Sequence, residues 1–135
     1  MKLFIDTETT GLPRFKEPLN HPEQPHIVQL AAILVGEDGR SMSINLILGH
    51  NNCIIPEQAS AIHGISTEYM RTYGLDPRST LITLKGMLEK AHTIIAHNLA
   101  FDLFMIKIAF AKAGIIFNTD QLSQYCTMLN AMHIP

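Results

Sequence analysis

Three carboxylates in this chain have the types and spacing to do chemistry: Asp6, Glu8 and Asp102. Asp6 and Glu8 are two apart and follow the apolar run Leu3-Phe4-Ile5. On a strand, that spacing puts both side chains on one face and Thr7 on the other. Two carboxylates so close repel unless something neutralises them, and a divalent cation such as Mg²⁺ takes carboxylate oxygen and water as ligands. The pair alone is weak evidence, because with 12 acidic residues in 135 an acid-x-acid pair arises by chance about once. Its place is more telling: strand ends beside a sheet crevice are where α/β sites form.

Asp102 lies one turn into a segment otherwise made of Leu99, Ala100, Phe101, Leu103, Phe104, Met105 and Ile106. A charge in such surroundings is costly unless it is paired or bound to metal. A helix N-terminus favours a carboxylate there by about 0.3–1 kcal/mol. The bland alternative is a surface aspartate in a first helical turn, and the nearly all-apolar helix weighs against it.

The elements that must position these acids follow from the pattern. Lys2 to Ile5 reads as a buried strand ending in Asp6, and a Pro- and Asn-containing loop runs from about Gly11 to His26. Ile27 to Val35 and Ser41 to Leu48 read as strands joined by the Glu37-Asp38-Gly39 turn into a hairpin. From Pro56 the signal turns helical, with a start at Ser66 and a longer helix from Asp76 or Ser79 to Lys90. Thr93 to Ala96 is a short buried strand, and Asn98 to Ala113 a helix stopped by Gly114. Ile115 to Phe117 is expected as a short strand, and Tyr125 to Met132 as strand turning into helix. A meander followed by β-α-β units predicts an α/β fold, a mixed sheet with helices packed on it. The right-handed crossover rule places the Thr93 strand parallel to the first strand and beside it. Asp102 then lies beside Asp6 and Glu8, and three carboxylates at one crevice suit two metal ions about 3.5–4 Å apart acting on a phosphodiester.

Bulk properties bound the reading. A chain of 135 residues supports one domain, and 47% hydrophobic with 16% charged residues suits a folded globular one. The formal net charge is −2 and the basic residues form no run, so charge gives no support for tight duplex binding. Cys53 and Cys126 are far apart, outside any Cys-x-x-Cys pair, which argues against a disulfide framework or zinc ribbon and suits a reducing cytoplasm. No signal-peptide pattern and no run of transmembrane length is present, so no membrane association is expected. A Rossmann-type nucleotide binder is excluded because no Gly-rich phosphate loop follows a strand.

Three motifs in order resemble the DEDD 3′–5′ exonucleases of the DEDDh type, the family of the proofreading subunit of bacterial DNA polymerase III. The first is Phe4-Ile5-Asp6-Thr7-Glu8-Thr9-Thr10-Gly11. The second comprises Ile54-Ile55-Pro56 and Ile62-His63-Gly64-Ile65-Ser66-Thr67-Glu68, and the third Ala96-His97-Asn98-Leu99-Ala100-Phe101-Asp102. The resemblance covers essentially the whole chain. It implies an RNase H-like fold, two Mg²⁺ or Mn²⁺ ions, and hydrolysis of the terminal phosphodiester of a single-stranded 3′ end, DNA or RNA, to nucleoside monophosphates. By resemblance Asp6, Glu8 and Asp102 are metal ligands and Thr9 touches the terminal nucleotide. His63 stands near the terminal sugar and base, Gln58 faces the nucleotide, and Asn98 shapes the pocket wall. The bland alternatives are a helix-cap or core role for His63 and an N-cap role for Asn98. A DNA polymerase is a partner that the family raises.

One departure matters. The family carries a fourth acid five residues after a histidine that serves as general base, both on a C-terminal helix. Here Asp120 is the only acid after Asp102, no histidine precedes it at that spacing, and His133 comes too early. Residues 1–135 are therefore expected to be one RNase H-like exonuclease domain without the helix that bears that last motif, either a fragment of a longer polypeptide or a shortened protein, with little or no activity alone. The competing reading is a noncatalytic nucleic-acid-binding or polymerase-associated module that keeps the fold and the metal cradle.

Overall fold

The structure, a computed structural model, describes residues 1–131. Its first three strands, β1 (Lys2–Thr9), β2 (Ile27–Val35) and β3 (Ser41–Ile47), form the expected antiparallel meander. β4 (Thr93–Ala96) lies parallel to β1, and β5 (Ser123–Cys126) parallel to β4, giving a five-stranded sheet of order β3-β2-β1-β4-β5. Helices α1 (Glu57–His63), α2 (Thr67–Tyr73) and α3 (Pro77–Lys90) follow the meander. Helix α4 (Leu99–Ala113) crosses from β4 toward β5, and α5 (Thr127–Ala131) follows β5.

Alternation along β1 settles which way each residue faces. Leu3, Ile5, Thr7 and Thr9 are buried, while Lys2, Phe4 and Asp6 are exposed and Glu8 is half-buried. Leu3 and Ile5 pack with Leu30, Ala32 and Leu34 of β2, Leu81, Leu84 and Leu88 of α3, and Leu103, Met105 and Ile106 of α4. Helix α3 starts where its chemistry dictates: Asp76 accepts from the Ser79 N–H at 2.9 Å, and Pro77 takes the first helical position. Helix α4 is apolar nearly all round and is buried on several sides accordingly. Among the described residues the opposite face of the sheet is left partly uncovered. There Phe4, Ile33 and Tyr125, all exposed, share one register row with Ile95.

Strand β1 runs further than its apolar run predicts. Pairing with β2 continues through Thr9, with a bulge that makes Val28 the extra residue between the partners of Glu8 and Thr9. Val28 packs with Cys53, Ile55, Ile65 and Met70, which seats α1 and α2 beside the strand end. Both cysteines are free of disulfides. Among the described residues no helix is long and apolar enough to cross a membrane.

One expectation changes. Ile115 to Phe117 is not a strand: Gly114 ends α4 in the left-handed conformation at φ 68°, and the Ile115 N–H turns back to the Phe110 carbonyl at 2.9 Å. Ile115 is then buried as the hydrophobic partner of that cap, whereas Ile116 is 88% exposed. The fifth strand comes later, at Ser123–Cys126, and leads into α5, which matches the strand-to-helix expectation for Tyr125 to Met132 in outline. Met132 and His133 lie outside the described residues.

A close backbone contact ties α2 to the end of β3. The Gly49 N–H donates to the Leu75 carbonyl and the Leu75 N–H to the Ile47 carbonyl, both at 2.8 Å. A Cβ on Gly74 would stand 2.3 Å from the Met70 carbonyl oxygen and 2.4 Å from Gly49 Cα. Gly74→Ala is expected to cost about 1–3 kcal/mol, since backbone must shift to admit the methyl. Gly86→Ala, in the middle of α3 with open space at its Cβ, is expected to add about 0.5–1 kcal/mol. Urea denaturation of both variants checks the pair, and a Gly74→Ala protein as stable as its parent contradicts the packing described.

Candidate active site

The third acid meets the first two through Thr7. Strand β4 pairs with β1 only as far as Phe4, so the far half of that β1 edge has no strand partner. The Thr7 N–H donates instead to Asp102 Oδ1 at 3.0 Å, and the Thr7 hydroxyl donates to the same oxygen at 2.6 Å. Both bonds land on one oxygen, and Oδ2 receives no donor from the described residues. Asp102 is 3% exposed and is held at the residue between Asp6 and Glu8. The sequence expectation that Asp102 comes beside the acidic pair is met at the level of position.

The charges of neighbouring acids bear on Glu8 and on Asp102. Burial, and then the charges of Asp6 and Glu8, push the Asp102 carboxyl up to about 6 against the opposing pull of its two Thr7 bonds. Glu8 is also raised, chiefly by burial and then by Asp6, with His63 acting in the other direction. Among the described residues no group of three His, Cys, Asp or Glu side chains stands close enough to enclose a metal ion by itself.

The remaining predicted residues lie around the strand end. A cavity of about 460 Å³ opens there, lined by Glu8, Thr9, Gln58 and His63 together with Leu12, Ile62 and Phe101. Thr9 is buried, and its hydroxyl donates to the Gly11 carbonyl at 2.8 Å. Gln58 is exposed on α1. His63 ends α1: its Nδ1 accepts from the Ile65 N–H at 3.1 Å, which leaves Nε2 to donate to the Thr9 carbonyl at 3.1 Å. Its helix-end role and its place on the cavity wall are thus the same arrangement.

Asn98 occupies the N-cap position of α4 but does not cap it. Its backbone is left-handed at φ 63° and its side chain makes no capping bond. The Leu99 N–H donates to the Cys126 sulfur at 3.4 Å instead. Sequence reasoning also missed Leu12, Ile62 and Phe101. Their signal was an apolar side chain beside each motif, and Leu12 and Ile62 are 81% and 84% exposed.

The histidines without a motif find structural places. The His26 and His50 rings stack at 4.4 Å, and His50 Nε2 donates to the Ile27 carbonyl at 2.6 Å. They line a separate cavity of about 280 Å³ with Arg78 and Lys112. Burial, with His50 and Lys112 nearby, lowers the His26 pKa to about 4.

A five-stranded mixed sheet with helices, its acidic strand end beside the N-terminus of a buried helix, defines an RNase H-like α/β domain. The chain belongs to the DEDD-type 3′–5′ exonuclease family: the exonuclease family of the RNase T type matches residues 3–132. Similar solved structures include E. coli exonuclease I in complex with a dT13 oligonucleotide, 18% identical with a TM-score of 0.77 and covering 97% of this chain and 28% of that one. A product-bound structure of exonuclease I, also 18% identical, has a TM-score of 0.77 and covers 97% and 30%. An ExoI/SSB-Ct complex, again 18% identical, has a TM-score of 0.76 and covers 97% and 29%. The chain therefore spans less than a third of the length of those proteins. No curated protein matches it significantly in sequence.

The pKa shifts fix a pH signature for the metal-free fold. Asp102 binds a proton more tightly folded than unfolded, so its contribution to stability is full below about pH 4 and is lost as pH rises through 6, roughly 3 kcal/mol in all. His26 works in the opposite sense, contributing above its ordinary 6.5 and losing that contribution as pH falls through about 4. Asp102→Asn removes the first and keeps the second. In EDTA, denaturation between pH 4 and 7 is expected to give a stability profile that rises more steeply with pH for Asp102→Asn than for the parent; parallel profiles refute the assignment.

Proposed function

We propose that residues 1–135 form a single RNase H-like domain that works at the 3′ end of a DNA single strand, in a hydrolysis that uses two divalent metal ions and releases nucleoside monophosphates. The observation that carries this reading is the pair of Thr7 bonds to Asp102, which tie a third carboxylate to the residue that stands between Asp6 and Glu8 in the chain. The complex of a structural neighbour with dT13 favours a DNA single strand as the substrate class.

The donors fit Mg²⁺ or Mn²⁺. They are hard carboxylate oxygens, Glu8 is raised in pKa by burial and by Asp6, Asp102 is raised by burial and by Asp6 and Glu8, and Asp102 Oδ2 carries no donor from the described residues. Mg²⁺ is commonly held by one or two carboxylates with water and substrate phosphate rather than by an all-protein cage, so the lack of a closed three-residue cluster among the described residues agrees with the reading. Bound there, the ions would stabilise the attacking and leaving oxygens of the phosphodiester.

In this reading the chain's own residues do the following. Asp6, Glu8 and Asp102 supply the negative charge that recruits metal. Thr7 fixes Asp102. Thr9 and Gln58 bound the space for the terminal nucleotide, and Leu12 and Phe101 give it apolar walls, whereas Asn98, at the start of α4, is not among the residues that line it. His63 has both nitrogens committed, to the Ile65 N–H and the Thr9 carbonyl, so it holds that carbonyl in place. Activation of water falls to none of these. Between Asp102 and Ala131 the only acid is Asp120, at a short 3₁₀ turn over Thr119–Gln121. That gap supports low turnover for residues 1–135 alone, and it is also what favours the second reading, a noncatalytic binder of strand ends.

Calorimetric titration with MnCl₂ tests the site directly. Asp6→Ala is expected to weaken binding at least about tenfold, the loss commonly seen when even a group supporting a metal ligand is removed; identical binding by parent and variant sinks the metal assignment. Purified 1–135 with Mg²⁺ and a labelled oligothymidylate is expected to release little nucleoside monophosphate, and robust release overturns the claim of impairment.

A further inference from the structure

The loop between β1 and β2 presents an aromatic side chain to solvent and holds it there. Phe15 is 62% exposed. The loop around it is well fastened. Gln24 is 2% exposed; its Oε1 accepts from the Arg14 N–H at 2.9 Å, and its Nε2 donates to the Arg14 carbonyl at 2.9 Å and the Pro18 carbonyl at 3.1 Å. Arg14 also pairs with Glu23 at 2.9 Å, and Lys112 of α4 donates to the Gln24 carbonyl at 2.7 Å. The residue next to Phe15 is thus pinned at both its N–H and its carbonyl.

Phe15 meets one ring on α4: its centroid lies 4.7 Å from that of Phe104, with the planes tilted by 48°. Phe104 is three residues beyond Phe101, which lines the cavity at the acidic strand end. Lys107 is three beyond Phe104. Residues at that spacing are neighbours along one stripe of a helix, so α4 carries an aromatic at the cavity wall, an aromatic joined by Phe15, and then a cation. The stripe covers about 9 Å of helix axis, room for two or three bases at roughly 3.4 Å each. Lys16 follows Phe15 directly and is exposed. Aromatic faces interleaved with cations are what a single strand recognises without regard to sequence: every base has a face to stack, and every phosphate a charge to neutralise.

We propose that Phe15 and Phe104 form a stacking platform for the bases upstream of the strand terminus, so that the strand leaves the cavity over Phe101 and runs along α4 toward Lys107. This rests on the single-strand reading above and adds to it a path and a polarity of contact: the terminus at the acids, the upstream bases at Phe15. A rigidly held aromatic loses little freedom when a base stacks on it, which makes the ordered loop part of the device.

The test is the length dependence of binding. Hydrolysis-resistant phosphorothioate oligothymidylates of two and eight nucleotides, labelled at the 5′ end, are titrated with the protein in Mg²⁺ and read by fluorescence anisotropy. Phe15→Ala is expected to weaken the eight-mer about 5- to 150-fold, the range for one lost base–aromatic stack, and to leave the two-mer unchanged. Phe15→Trp is expected to restore eight-mer binding. Phe15→Leu keeps an apolar cover on Phe104 without a π-face, and is expected to hold the melting temperature while losing eight-mer affinity. Equal losses on both lengths make Phe15 a wall of the terminal pocket and overturn the proposal. No loss on either length makes it only a cover for Phe104 and overturns the proposal as well. An unaltered protein that binds neither length overturns the single-strand reading itself, and this proposal with it.

Discussion

The structure turns on one buried carboxylate and the residue that answers it. Asp102 sits in an apolar helix at 3% exposure, where an unanswered charge would cost several kcal/mol. Thr7 supplies two donors to a single oxygen, each bond to a charged group worth about 1.5–3 kcal/mol. Neither donor is available by accident. The backbone N–H is free because β4 stops pairing at Phe4, and the hydroxyl is inside because Thr7 shares the buried face of β1 with Leu3 and Ile5. Once Thr7 points inward, strand alternation sends Asp6 and Glu8 outward together. The acid-x-acid spacing and the distant aspartate are therefore one constraint seen from two ends of the chain.

The same strand end is held from its other side by a weaker but similar device. The Thr9 carbonyl accepts from His63, and His63 in turn accepts from Ile65, so α1 is docked on β1 by one imidazole. The Val28 bulge makes room for this by seating Ile55, Ile65 and Met70 beside the strand. The cavity between them needs both fastenings. Asp102 fixes its α4 wall and His63 its α1 wall, with Glu8 and Thr9 on the floor between.

Much of this was legible in the sequence, for identifiable reasons. The meander, the parallel neighbour of β1 and helices α3 and α4 follow from strong periodicity and clear caps at Asp76 and Gly114. The solitary acid in α4 announced itself through the cost of burying it. What stayed hidden depended on contacts between distant segments. That Thr7 is the partner of Asp102 spans 95 residues and leaves no local trace. Ile115-Ile116-Phe117 has the composition of a strand, but the αL cap at Gly114 pulls Ile115 into the core and leaves the next residue in solvent. Asn98 has the right type to cap α4, yet it adopts the left-handed conformation that asparagine tolerates, and a cysteine sulfur from 27 residues on takes the Leu99 N–H. A cysteine in that role has no sequence signature.

The acids at the strand end are arranged against the stability of the fold. Two of these carboxylates, Glu8 and Asp102, are raised in pKa by burial and by the charge of neighbouring acids, which is the pattern of a candidate functional site. Here one acid is clamped from inside by Thr7, and two project from the open face beside a cavity of about 460 Å³. On the proposed reading, divalent metal ions would offset the repulsion among these acids, and a phosphate at the end of a strand would supply further oxygens to them. Asp6 and the row of Phe4, Ile33 and Tyr125 lie on the same face of the sheet, and all four are exposed.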